Sequence, residues 1–237
     1  MRIDIWSDIV CPFCYVGKRN LEQALAEFEH RDEVEVVWHS FELDPSATEY
    51  PAGSLPEMIA SKYQMPLEQA IATQESLAER AREVGLDFNW RQARYGNTFD
   101  AHRVIQYASE QGLASAAQEA FKKAYFTQGR SVQDHESILD IASEIGLDTA
   151  EVEAVLKSDR YAEHVRADEQ LARQLGINGV PFFLIESKWA VSGAQPAEAL
   201  VQALRQVWEE THRVEFLNPL AGASEAGPSC DMNGNCS

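Results

Sequence analysis

The sequence predicts an α/β protein whose one sheet is assembled from the two ends of the chain, with a block of helices inserted between them. Three observations predict it. A strand–helix–strand pattern fills the chain up to Phe41. Helical periodicity then runs almost unbroken from about Leu55 to Arg173. After Gly179 the strand signal returns twice and a last helix follows. The order is β-α-β, helices, β-β-α, with no internal repeat.

Ile3 and Ile5 alternate with Arg2 and Asp4 and precede Trp6, which reads as the first strand. Ser7 to Val10 turns the chain into Cys11-Pro12-Phe13-Cys14. From Cys14 to about Glu29, Leu21, Leu25 and Phe28 recur at spacings of four and three, the mark of one helical face. Glu33 to Phe41 is rich in β-branched residues and reads as the second strand; so short a unit fits a parallel pair with a crossover helix. Asp44 to Pro56 carries Pro45, Pro51, Gly53 and Pro56 and reads as a loop. Helices follow over Leu67 to Val84, Asp100 to Glu110, Ser115 to Phe126, Asp134 to Ile145, from Thr149, and over Tyr161 to Leu175. Gly85, Gly112, Gly146 and Gly176 stand at their stops. Val180 to Ile185 and Trp189 to Val191, joined across Glu186-Ser187-Lys188, predict an antiparallel hairpin. Pro196 opens a final helix with Leu200, Leu204 and Val207 on one face. Beyond Phe216 the composition becomes Gly, Ala, Ser and Asn, which reads as a tail.

Composition excludes several functions. The 237 residues include 38 acidic and 20 basic side chains, a net charge of −18, which repels phosphate backbones and anionic lipid. Nucleic-acid and membrane partners are therefore not expected, and no stretch approaches the roughly 20 apolar residues of a bilayer span. The opening Met1-Arg2-Ile3-Asp4 lacks a basic leader and an apolar signal core, which predicts a cytoplasmic protein with reduced thiols. In that compartment a close cysteine pair is catalytic or metal-binding more often than structural.

Cys11 and Cys14 follow a strand and open a helix. Only a thiolate attacks a disulfide, and a free thiol is mostly protonated at neutral pH. A helix N-terminus offers unpaired N–H groups and a partial positive charge that favour the thiolate. Cys11 is thus expected to be the exposed attacking thiolate. Pro12 suits the first helical position, and Cys14, one turn on, is expected to be the buried resolving thiol. Half of a zinc site is the competing reading. It lacks a second C-X-X-C, and His30 and His39 form no ligand pair, so neither a metal nor any other cofactor is expected. Gly179-Val180-Pro181 begins a strand, where proline's missing N–H is tolerated. Most such bonds are trans; a cis bond would free the Val180 backbone to pair with an extended substrate. At the far end, Cys230 and Cys236 flank an Asn-Gly turn. They are either a second redox pair that exchanges with Cys11 and Cys14, or thiols with no part in the chemistry. Glu42 is expected to be a solvated loop acid, although it could take a proton from Cys14. His102 is expected to be a packed or surface residue.

D-I-V-C-P-F-C-Y-V-G-K at Asp8 to Lys18, N-T-F-D-A-H-R at Asn97 to Arg103 and G-I-N-G-V-P-F-F at Gly176 to Phe183 resemble the DsbA family of thioredoxin-fold dithiol–disulfide oxidoreductases, and within it the cytosolic FrnE-like branch. The resemblance spans about residues 1 to 212. It implies a thioredoxin-like domain over 1–50 and 161–212, an inserted helical subdomain over 51–160, and an extension over 213–237 holding the second cysteine pair. It implies Cys11 as nucleophile, Cys14 as resolving cysteine and Pro181 as a cis-proline. Pro12, Phe13 and Val180 would contact the substrate, a protein disulfide, and a thiol reductant (glutathione or a thioredoxin system) would recharge the pair. Periplasmic members carry His where this chain has Phe13, so a less depressed Cys11 and a less oxidising couple are expected. Kappa-class glutathione transferases and 2-hydroxychromene-2-carboxylate isomerases share the scaffold. A glutathione-dependent isomerase is one alternative; a redox-inactive binding or chaperone module is the other.

Overall fold

The computed structural model describes residues 1–47 and 53–213. The predicted tail cysteines Cys230 and Cys236 lie outside the described residues. The first strand, β1 (Arg2–Ser7), is the hub of a four-stranded sheet. It pairs in parallel with β2 (Glu35–Ser40) and antiparallel with β3 (Phe182–Ile185), which in turn pairs with β4 (Trp189–Ser192). The order β2-β1-β3-β4 brings the two ends of the chain side by side. Ile5 stands opposite Trp38 on one side and Phe183 on the other.

Alternation along β1 sets the two faces of the sheet. Ile3 and Ile5 face α1 (Pro12–Glu27) and α9 (Ala197–Thr211), where they pack with Leu21, Ala24 and Phe28 and with Leu200, Leu204 and Val207. Burying each such side chain contributes about 1.5–3 kcal/mol. Trp6 faces the other way, against Ala172 and Ile177 beside α8 (Ala162–Gln174), and its indole N–H donates to Asp168 O at 3.0 Å. The helix α1 starts at Pro12, two residues before the predicted start, because Pro12 needs no N–H partner there. The ladder of β3 starts later than predicted, at Phe182, since Pro181 has no N–H to give it.

The intervening helices are α2 (Leu55–Lys62), α3 (Leu67–Glu83), α4 (Phe99–Glu110), α5 (Ala114–Phe126), α6 (His135–Glu144) and α7 (Thr149–Leu156). Ser54 and Glu57 form a capping box that starts α2 inside the stretch read as loop. These helices have their own apolar core, with Phe121, Tyr125, Ile138, Ile141, Val152 and Val155 fully buried. Ile9 and Tyr15, on either side of the cysteine pair, belong to that same core. The dithiol therefore sits where the sheet-bearing part meets the helices. The β-α-β and β-β-α halves joined through helices are the arrangement the resemblance implies.

Candidate active site

Cys11 is the N-cap of α1, with extended backbone angles, and its carbonyl accepts from Cys14 N at 3.1 Å. Both cysteines are free thiols. Their burial differs from expectation: Cys11 is 4% exposed and Cys14 1%, so neither sulfur lies open. Phe13 between them is the exposed residue, at 42%. What covers Cys11 is the loop before β3. Its Sγ donates to Val180 O at 3.5 Å, and the Val180–Pro181 peptide is cis. Gly17, one turn past Cys14, lets that loop approach: a Cβ there would lie 2.9 Å from Pro181 Cγ and 3.4 Å from Phe183 Cζ. Sequence-distant residues thus meet around the pair, with Pro12 half-buried and Val180 half-buried at the rim.

The two sulfurs act on each other as one coupled, buried pair. Burial of Cys14 works against ionisation, but the Cys11 thiol hydrogen-bonds to it, the Lys122 ammonium attracts it, and Ser7 and the Asp8 backbone face it; together these lower it. Cys11 is raised well above the ordinary thiol value, because its thiol donates to Cys14, it is buried, and a negative sulfur lies beside it. The Cys11 thiol therefore faces Cys14, and the two sulfurs titrate together.

Four further residues are buried around this part of the chain. Asp8 is fully buried. Its Oδ1 accepts from Ile9 N at 2.7 Å and pairs with His102 Nε2 at 3.2 Å, and its Oδ2 accepts from Leu43 N at 2.8 Å. Burial opposes its charge, and His102 and these donors outweigh it, so the carboxyl is lowered. His102 has no exposure at all, and its Nδ1 has no hydrogen-bond partner among the described residues. Glu42, expected in solvent, is 5% exposed. Burial raises its carboxyl, although Arg166 Nη1 donates to it at 2.6 Å. Asn97 Nδ2, just ahead of α4, also donates to it at 3.3 Å. Lys122 of α5 is completely buried. Sequence reasoning missed Asp8 and Lys122. The signal for Lys122 was present: Gln118 and Lys122 form a polar i, i+4 pair set beside the apolar Phe121 and Tyr125 stripe.

A free dithiol at a helix N-terminus, covered by a cis-proline loop on a sheet of this topology, defines a thioredoxin-fold thiol–disulfide protein. A family model, the DSBA-like thioredoxin domain, matches residues 2–205. The chain belongs to that family. A probable DsbA oxidoreductase from Streptomyces coelicolor is 44% identical, with a TM-score of 0.86, and the match covers 100% of this chain and 98% of that one. A 2-hydroxychromene-2-carboxylate isomerase is 17% identical over 89% of this chain and 98% of its own, with a TM-score of 0.68. The cytosolic disulfide reductase DsbM from Pseudomonas aeruginosa is 17% identical over 87% and 100%, with a TM-score of 0.59. The last two share the fold alone.

Proposed function

We propose that this protein is a cytoplasmic thiol–disulfide oxidoreductase or isomerase of the FrnE-like branch that acts on protein disulfides. The observation that carries the reading is the free Cys11–Cys14 pair at the start of α1, with Cys11 Sγ held 3.5 Å from Val180 O. Cys11 is the sulfur on the groove side, beside exposed Phe13. Substrate displaces it from Val180, and Cys11 ionises at the helix N-terminus while Cys14 keeps the pair's remaining proton. The Cys11 thiolate then attacks one substrate sulfur and the other leaves as a thiolate. The Cys14 proton passes to that leaving thiolate. Cys14 attacks Cys11 Sγ, and the second substrate sulfur departs as a thiolate. One disulfide is made and one broken, and a single proton leaves with the product.

Val180, freed from the ladder, offers its backbone to an extended substrate segment, and Pro12, Phe13 and Pro181 contact it. The thioredoxin-like domain comprises 1–50 and 161–212, with 51–160 as the inserted subdomain that walls the groove. Glutathione or a thioredoxin system reduces the Cys11–Cys14 disulfide after each turnover.

The test is insulin reduction and scrambled-substrate refolding with wild type, Cys11→Ser and Cys14→Ser. Cys11→Ser should lose at least about a hundredfold in both assays, and Cys14→Ser should accumulate the mixed disulfide. Full activity of Cys11→Ser would overturn the mechanism. Full activity of Cys14→Ser in a glutathione-dependent isomerisation would favour the isomerase alternative.

A further inference from the structure

The loop after β2 presents an apolar side chain at the edge of the sheet where the dithiol lies. β1 and β2 are parallel and end together, with Ser7 opposite Ser40. β3 runs against β1 and begins beside that same end, with Phe182 opposite Trp6. Three connections therefore meet at one edge: the turn from Asp8 to Cys11, the loop from Phe41 to Asp44, and the Val180–Pro181 loop. The order β2-β1-β3 puts the dithiol turn in the middle. Val180 covers Cys11 from one flank, and the loop after β2 forms the other. In open α/β sheets ligands bind beyond the carboxyl ends of the strands.

That loop is tied down residue by residue. Glu42 accepts from Arg166 Nη1 at 2.6 Å and from Asn97 Nδ2 at 3.3 Å. The N–H of Leu43 donates to the buried Asp8 carboxylate at 2.8 Å. Asp44 accepts from Lys62 Nζ at 3.0 Å and from Tyr95 Oη at 3.1 Å. Asp8 also accepts from Ile9 N of the dithiol turn and pairs with His102, so loop and turn share one carboxylate. The Leu43 side chain is left outside, 42% exposed, as is Phe13 between the cysteines. A lone exposed leucine needs no explanation. This one is held in place from both sides before any ligand arrives, so an apolar contact with it loses little further entropy.

We propose that Leu43 is a specificity-determining residue: with Phe13 it gives the substrate groove an apolar subsite on the β2 side, which selects protein disulfides flanked by large apolar residues. The spacing follows from strand geometry. Neighbouring strands lie about 4.8 Å apart, and an extended chain advances about 3.3 Å per residue with its side chains alternating. A substrate cysteine whose sulfur meets Cys11 therefore turns its second neighbours, about 6.6 Å away along the chain, to the same side. One of these falls at the Leu43 loop, one strand over from the dithiol turn. The inference rests on the dithiol reading above and specifies which disulfides that site takes.

The experiment uses the reduced full chain and two disulfide-linked peptide dimers. Each peptide has a central cysteine, with Leu in one and Ser in the other at the second position on both sides of it. Single-turnover rates are divided by each peptide's rate with dithiothreitol, which removes intrinsic reactivity. Wild type should prefer the Leu peptide at least about fivefold, from the apolar area buried against Leu43 and Phe13, and Leu43→Ser should prefer it less than about twofold. Leu43→Ser keeps the N–H that Asp8 accepts, and matching circular dichroism spectra check that its fold is kept. A smaller preference in wild type, or one that persists in Leu43→Ser, would overturn the proposal. Failure of the dithiol reading looks different, because wild type would then react with neither peptide.

Discussion

His39 offers the sharpest test of how the sheet is tied to the helix on its far side. Its ring bridges two carboxylates: Nε2 meets Asp4 Oδ1 of β1 at 2.8 Å and Nδ1 meets Asp168 Oδ1 of α8 at 2.6 Å. Trp6 stacks on it with centroids 4.4 Å apart. Burial disfavours the imidazolium, but Asp168 and then Asp4 outweigh it and raise His39 above its ordinary 6.5. A raised base stabilises the fold fully below its unfolded value and loses that contribution as pH climbs through the folded value. The perturbation is His39→Asn. Neither carboxylate is orphaned by it, since Asp4 keeps Arg2 Nη2 at 2.7 Å and Asp168 keeps Ser40 N at 2.8 Å and Gln106 Nε2 at 2.6 Å. The loss is then two charge-assisted bonds at about 1.5 kcal/mol each, the low end of their range, or roughly 3 kcal/mol at about pH 6. At a pH above the raised folded value the wild-type ring is neutral, and the cost falls to about 1 kcal/mol, the ring stacking with one ordinary hydrogen bond. Urea denaturation of both proteins at the two pH values, followed by circular dichroism, gives the comparison. A difference that is the same at both, or larger at the higher pH, would refute the imidazolium bridge.

Other expectations follow from the same geometry. Gly17→Ala drives a methyl into Pro181 Cγ at 2.9 Å; it should cost about 1–3 kcal/mol by overpacking and lower disulfide-exchange turnover, as thermal melts and insulin reduction would record. Glu119→Gln removes the carboxylate that clamps α1 to α5 and leaves buried Lys18 with Glu22 alone at 2.5 Å; a loss of about 1–3 kcal/mol at neutral pH is expected. Burial opposes the Glu119 charge, but Lys18, Tyr15 and Arg19 lower it to about 2. Its contribution is therefore present above the ordinary carboxylate range and lost as pH falls toward that value, so wild type and variant should converge in acid titrations.

The elements that the sequence announced are those whose cause is local. Ile3 and Ile5, the Leu21–Leu25–Phe28 face and the Val180–Ile185 run carry their periodicity within a few residues, and the helix stops at Gly85, Gly112, Gly146 and Gly176 carry theirs in a positive φ. The cysteine pair was legible for the same reason. Its charge state was not. Lys122 lies more than a hundred residues from Cys14, on a helix that Glu119 ties to α1. Asp8 reads as a turn residue until His102 arrives from α4. Glu42 looks like a surface acid until Arg166 and Asn97 fold over it. Each is polar and buried through partners distant in sequence, which no periodicity encodes.

The sheet order has a consequence for the making of the protein. During synthesis, Cys11 and Cys14 emerge early, with β2 close behind to pair with β1. The strand that seals them, β3, begins at Phe182, and Val180 comes just ahead of it. At translation rates of about 5–20 residues per second, the thiols wait on the order of ten seconds without their cover. The nascent chain carries the cysteine pair before it has the cis-proline loop that covers Cys11. The short stretch from Val180 through β3 completes the site: until it pairs with β1, the cover over Cys11 is missing.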